Sequence, residues 1–91
     1  MSRITVYQDT EVEVVVGTDH VVGRFIQIYD STLRGVTPEG EGLIYDWSET
    51  FGVQTNMTGI PSSTPPEILM NEYLSEHIRD KGLTIMPIHM N

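Results

Sequence analysis

The residues of this chain that could do chemistry are three histidines, two tyrosine–aspartate pairs and a ridge of acids. His20 follows Asp19, while His77 and His89 stand apart. Histidines with carboxylates nearby are the raw material of zinc and iron sites. The chain has no His-x-x-x-His pair and no Glu-x-x-His motif. Adjacent strand residues point to opposite faces, so Asp19 and His20 converge only within a turn. No metal site and no cofactor is expected. His77 lies three residues after Leu74 and seven after Met70, at the edge of an apolar stripe. That is the place of a boundary histidine hydrogen-bonded to a strand. A catalytic histidine would need a nucleophile or an acid brought to it by the fold, and nothing in the sequence nominates one.

Tyr29-Asp30 and Tyr45-Asp46 could supply acid and base groups to a cleft, as paired carboxylates do in glycoside chemistry. The same dipeptide at a strand end also serves as a core aromatic followed by a turn acceptor. A phosphate cradle is excluded. The stretch from Gly35 to Gly42 lacks a Gly-Lys-Ser/Thr ending and carries Glu39 and Glu41, which repel phosphate.

The acidic ridge carries the most functional promise. Glu72, Glu76 and Asp80 recur every four residues and line one face of a predicted helix. Glu11 and Glu13 add acids to the outer face of the second predicted strand. The ordinary role of such a face is solubility. The sharper one is docking to a basic partner, with electrostatic steering of the encounter. Trp47, Phe51, Met57, Ile60 and Met90 fall in or near irregular segments. They serve either an interface or closure of a thin core, and Trp47 is the strongest interface candidate.

The elements that must hold these residues follow from periodicity. Ile4–Gln8 alternates and predicts a first strand, ended by a turn at Asp9-Thr10. Glu11–Val16 puts Val12, Val14 and Val16 on one face and predicts the second strand. Gly17–His20 reads as a hairpin connection, and Val21–Asp30 as the third strand, with a bulge or close approach at Gly23. Ser31–Gly42 is a loop and Leu43–Trp47 a fourth strand. If strands three and four pair, Phe25, Tyr29, Leu43, Tyr45 and Trp47 share a face. Residues 50–64 read as irregular, with a short turn near Phe51.

Thr64 as N-cap, Pro65 at the first helical position and Glu67 at the third predict a helix start. Ile68, Leu69, Met70, Tyr73, Leu74 and Ile78 form its apolar stripe, and Gly82 its stop. Leu83–Met86 then reads as a final strand, ended by Pro87. The expected fold is a single α+β domain over residues 1–91. It has a small antiparallel or mixed sheet of four to five strands, with one helix from the C-terminal half packed on one face.

Composition bounds the function. Thirteen acids against five bases give a net charge of -8 over 91 residues. Arg3, Arg24, Arg34, Arg79 and Lys81 are scattered, so the basic stripe that nucleic acid requires is missing. There is no cysteine, hence no disulfide and no thiolate chemistry. No apolar run reaches the roughly 20 residues of a membrane span. Met1-Ser2-Arg3-Ile4 enters a strand pattern at once, without the apolar core of a signal peptide, and a cytoplasmic location is the expectation. Chains this short often complete a core by dimerising, so a homo-oligomer is expected as well.

The short, acidic, cysteine-free profile is similar to that of small phage or mobile-element proteins that inhibit nucleases or host factors. This likeness of composition assigns no residue a role. The expected function is an interaction module, an inhibitor or adaptor docking a basic partner through Glu72, Glu76, Asp80, Glu11, Glu13 and Trp47. The alternative is a small enzyme or ligand-binding domain. Its site would lie between the sheet face and residues 51–61 and draw on Asp30, Asp46, Tyr29, Tyr45 or His77.

Overall fold

A computed structural model describes residues 1–37 and 40–80. Strands β1 (Ser2–Gln8), β2 (Val12–Asp19), β3 (Gly23–Asp30), β4 (Leu43–Ser48) and β5 (Gly52–Asn56) precede helix α1 (Pro66–Asp80). The strands lie in chain order and every neighbouring pair is antiparallel. The fold is therefore α+β, with a five-stranded antiparallel sheet. The predicted stop at Gly82 and the strand Leu83–Met86 lie outside the described residues, as does His89.

One side of the sheet carries the core. Val12, Val14, Val16, Ile26, Ile28, Ile44 and Tyr45 pack there against Leu69, Met70 and Leu74 of α1. Leu69, Met70 and Leu74 are fully buried. Burying a side chain of this size contributes about 1.5–3 kcal/mol. Ile68, which the predicted stripe included, is 51% exposed. It lies on the outer side of the helix.

Four local expectations are corrected. First, β2 runs on through Gly17 to Asp19, and the turn falls at residues 20–22. Gly17 pairs with Arg3 and Phe25 in the ladder, and glycine is required there because a Cβ would collide with the Ser2 carbonyl and the Phe25 ring. The Asp19 carboxylate accepts the Val21 and Val22 amides, at 2.7 and 3.3 Å, and so builds the turn. Gly23 closes it with φ at +77°, a conformation that favours glycine.

Second, residues 50–64 are not all irregular. Gly52–Asn56 forms the edge strand β5, pairing Val53 with Trp47 and Asn56 with Tyr45. The remainder is organised by Asn56. Its carbonyl accepts the Thr58 amide and hydroxyl, and its Nδ2 donates to the Ile60 carbonyl and Ser62 Oγ.

Third, α1 starts at Pro66. The Leu69 amide donates to the Pro65 carbonyl, so Pro65 is the N-cap and Pro66 occupies the first helical position. A residue preceding proline is driven out of the helical region, which keeps Pro65 out of the helix. Thr64 closes a turn instead, its amide bonded to the Pro61 carbonyl.

Fourth, the five aromatic and apolar residues of β3 and β4 do not share a face. Ile28 pairs with Tyr45 and Ile26 with Trp47 on the helix side, whereas Tyr29 pairs with Leu43 and Phe25 with Ser48 on the opposite side. The register shifts between Ile28 and Tyr29, making Ile44 an extra residue that switches the alternation.

Tyr45 is fully buried, and its hydroxyl is the one buried side-chain polar atom without a hydrogen-bond partner among the described residues. Burial pushes this phenol above its ordinary pKa, and the charge of Asp46 adds to the rise. An unsatisfied buried hydroxyl costs about 1–3 kcal/mol. Tyr45→Phe is therefore expected to raise the unfolding free energy by about 1 kcal/mol in urea denaturation. A loss of stability would show that the hydroxyl has a partner in solution.

Candidate functional site

The most connected polar group lies where α1 meets the β1–β2 turn. Asp9 builds that turn. Its Oδ1 accepts the Glu11 and Val12 amides at 2.7 and 2.8 Å. Its Oδ2 accepts the Tyr7 hydroxyl at 2.6 Å and pairs with His77 Nε2 at 2.7 Å. Tyr73 and His77 stand one helical turn apart on α1, with rings parallel at 6.4 Å between centroids. Tyr7 meets the His77 ring edge-on at 6.3 Å. The Tyr73 hydroxyl bonds to Asp30. Asp30 in turn caps the short 3-10 turn Ser31–Leu33 through the Thr32 amide.

Electrostatics decides what this cluster can do. Burial alone would raise the Asp9 carboxyl. The hydrogen bonds from Tyr7, the Val12 amide, His77 and the Glu11 amide outweigh burial and hold it well below the usual carboxylate range. Tyr7 is pushed up to about 12, first by its hydrogen bond to Asp9, then by burial and the charges of Asp9 and Glu11. Tyr73 also reaches about 12, through burial and then Asp30, with Asp9 and Glu11 adding to it. A carboxylate–imidazole pair is the core of many general-base sites. Here both tyrosines keep their protons at neutral pH, and four donors fill the acceptor capacity of Asp9. The arrangement fits a clasp that fastens the helix to the sheet. Sequence reasoning placed His77 at this boundary but treated Asp9 only as a turn residue and Tyr7 only as a strand residue.

The residues nominated for partner binding fall in three places. Glu72, Glu76 and Asp80 are all exposed on the outer side of α1. Among the described residues no ion pair neutralises them. Glu11 sits in the turn beside Tyr7 and Tyr73 and raises both phenols. Glu13 is half-buried on the side of the sheet opposite the helix, accepting from the Thr5 hydroxyl at 3.0 Å. Trp47 is half-buried and packs against the core on the helix side.

The residues named for an enzyme site also separate. Asp30, Tyr45 and His77 face the helix side, and Tyr29 and Asp46 the opposite side. Gln27 links the second pair. Its Oε1 accepts from Tyr29 at 3.2 Å and from Arg3 at 2.8 Å, and its side chain bonds to Asp46. A cleft of about 220 Å³ opens on this face, lined by Arg3, Val22, Phe25, Gln27, Asp46 and Ser48 among others. Burial raises the Asp46 carboxyl, and the Gln27 hydrogen bond offsets part of the rise.

Among the described residues no cluster of three or more histidines and carboxylates could hold a metal ion. Asp19 is committed to its turn and His20 is exposed. No described helix is long and apolar enough to cross a membrane. Comparisons with protein-family models, curated proteins and solved structures find no match to this chain.

Proposed function

We propose that the protein is a docking module that acts by contact with a partner bearing a basic surface, as an inhibitor or an adaptor. The observation that carries this is the outer side of α1. Glu72, Glu76 and Asp80 stand there exposed and without an ion pair among the described residues, beside the exposed apolar side chain of Ile68. Like charges one turn apart destabilise a helix by about 0.2–0.5 kcal/mol per pair. Arg79, three residues after Glu76, offsets part of this repulsion, and a basic partner would relieve the rest. An apolar side chain with a polar, predominantly acidic rim also matches the anatomy of a transient interface, although Arg79 shares this face with Glu72 and Glu76. With a net charge of -8, the whole chain would steer such a partner inward. A surface that normally holds nucleic acid fits this description.

Affinity capture from the native cytosol at low and high salt, read by mass spectrometry, tests the proposal. A basic protein retained at low salt and released at high salt is expected. The variant Glu72→Lys/Glu76→Lys/Asp80→Lys should bind that protein at least ten-fold more weakly, with a flatter salt dependence. Unchanged binding by a folded triple variant would reject the helix face as the docking surface.

A further inference from the structure

We propose that strand β1 is a docking edge for a second copy of this chain, pairing β1 with β1 antiparallel across a two-fold axis at Ile4. The edge belongs to a different element from the acidic ridge of α1, so it goes beyond the docking surface proposed above and can stand or fall without it.

Among the described residues the sheet has two edges, β1 and β5. An edge strand offers a row of unpaired N–H and C=O groups, and folded chains guard such edges by shortness, proline, charge or a bulge. The β5 edge is guarded. It has five residues, and the extra residue Gln54, between the partners of Asp46 and Trp47, breaks it in two. The β1 edge has seven residues and no proline. Its own bulge falls at Val6 and leaves Ser2–Thr5 as an unbroken ladder. Those residues are all exposed. Arg3, the one charged side chain of β1, is drawn inward over the sheet, where it donates to Gln27 Oε1 at 2.8 Å. Ile4 faces the helix side with its partner Val16 and is still 59% exposed. A second β1 laid alongside would cover it and gain from the burial.

Charge selects the second copy and its register. Arg3 and Glu13 share the side of the sheet opposite the helix. Glu13 leans toward the edge, accepting from the Thr5 hydroxyl at 3.0 Å. Among the described residues neither Arg3 nor Glu13 forms an ion pair. An axis at Ile4 sets Ile4 against Ile4, and Arg3 against Thr5 of the second copy. Each Arg3 then lies beside the other copy's Glu13, twice by symmetry. The guanidinium bonds Gln27 through one nitrogen and keeps further N–H groups for that carboxylate. The neighbouring registers lose this match. An axis at Arg3 sets like charges directly opposite each other, which destabilises a ladder. An axis at Thr5 brings the two Glu13 carboxylates together and runs each Val6 bulge into the other copy's Ile4. A two-fold contact must be complementary to itself, and of these three registers the Ile4 axis alone is.

Sedimentation equilibrium of the full chain tests the proposal. A ladder this short falls below a standard interface, so a dissociation constant on the order of 100 μM is expected. The mass should rise from near one chain at about 10 μM toward two at about 1 mM. Salt of about 0.15 M screens the charge of -8 on each copy beyond about 8 Å. Ile4→Lys, at an exposed position, should weaken association at least ten-fold. Arg3→Glu and Glu13→Arg should each weaken it at least three-fold. The double exchange sets opposite charges together again and should return it to within about two-fold of wild type. In a mixture of isotope-labelled and unlabelled chains, NMR should show contacts between Ile4 of one copy and Ile4 of the other. A mass of one chain throughout, a dimer indifferent to Ile4→Lys, or intermolecular contacts away from β1 would each overturn the edge. A single chain whose β1 amides resist exchange would assign the edge to another segment of the same molecule. A double exchange that fails to rescue would overturn the register. The triple-lysine ridge variant should dimerise at least as well as wild type, so failure of the ridge and failure of the edge are read separately.

Discussion

Replacing Asp9 by alanine is expected to lower the unfolding free energy by about 3 kcal/mol. Four donors converge on this one carboxylate: two backbone amides, the Tyr7 hydroxyl and His77. A hydrogen bond to a charged group contributes about 1.5–3 kcal/mol, and the contributions within one network do not add. The side chains of His77 and Asp9 are only 12% and 21% exposed. Water therefore replaces the lost acceptor poorly at the helix, but more easily at the exposed Glu11 amide. In a domain of this size each kcal/mol moves the melting temperature by about 4–8 °C, so a fall of about 10–25 °C is expected. Asp9→Asn should lose less, because its carbonyl can still hold the turn amides.

The pH dependence has a definite sign. The Asp9 carboxyl is held below its ordinary value of 3.8. A group depressed in the folded state contributes stability above its unfolded pKa and loses it as pH falls toward the folded value. The gap between wild type and Asp9→Ala should thus be full at pH 5 and above and shrink progressively below about pH 4. Urea denaturation across that range measures it. A constant gap would mean that Asp9 acts through turn shape, not charge.

Leu74→Ala is expected to cost as much or more, about 3–4 kcal/mol. Leu74 is fully buried near the middle of α1, between the helix and the sheet. Truncating a buried leucine removes its transfer energy and leaves a cavity, typically at about 2–5 kcal/mol. The lower end applies where neighbours can collapse inward. Here Leu69 and Met70 sit on the same helix, and a rigid sheet lies opposite, so little collapse is available. Small domains have total stabilities of about 5–15 kcal/mol. The variant should therefore be only marginally folded at 37 °C. Leu74→Met conserves volume and should cost less than about 1.5 kcal/mol. The pair of urea midpoints, with Trp47 fluorescence as probe, distinguishes a packing role from a general intolerance at this position.

Much of the architecture was legible because burial writes itself into periodicity. Val12, Val14 and Val16 alternate with Glu11, Glu13 and Val15, and the three valines do face the helix. Leu69, Met70, Leu74 and Ile78 repeat at helical spacing and are buried. What could not be read has physical causes. The strand β5 is a polar edge strand in which only Val53 is apolar, so it carries no alternating signal. The inserted residue Ile44 reverses the parity of β4, and a register shift is invisible in a pattern of period two. Asp9 and His77 are separated by 68 positions. Spacing along an element says nothing about a pairing between a turn and a distant helix. The cleft on the side opposite the helix failed to appear for the same reason, since Arg3, Gln27 and Asp46 come from three different strands.

The chain-order arrangement of the strands has a consequence for how the molecule assembles. Each strand finds its partner immediately before or after it in sequence. Hairpins of this kind close in microseconds, and little loop entropy is spent in finding them. Against that local background, the bond between Asp9 and His77 joins the first turn of the sheet to the last turns of the helix. It is a long-range closure and belongs at the end of the folding route. During synthesis the opening hairpin is exposed early, with its valine face uncovered. It stays so until the codon for His77 has been read and the helix has cleared the ribosome. Holding that interval short, or covering the face from outside, is a demand the topology places on the cell that makes this protein.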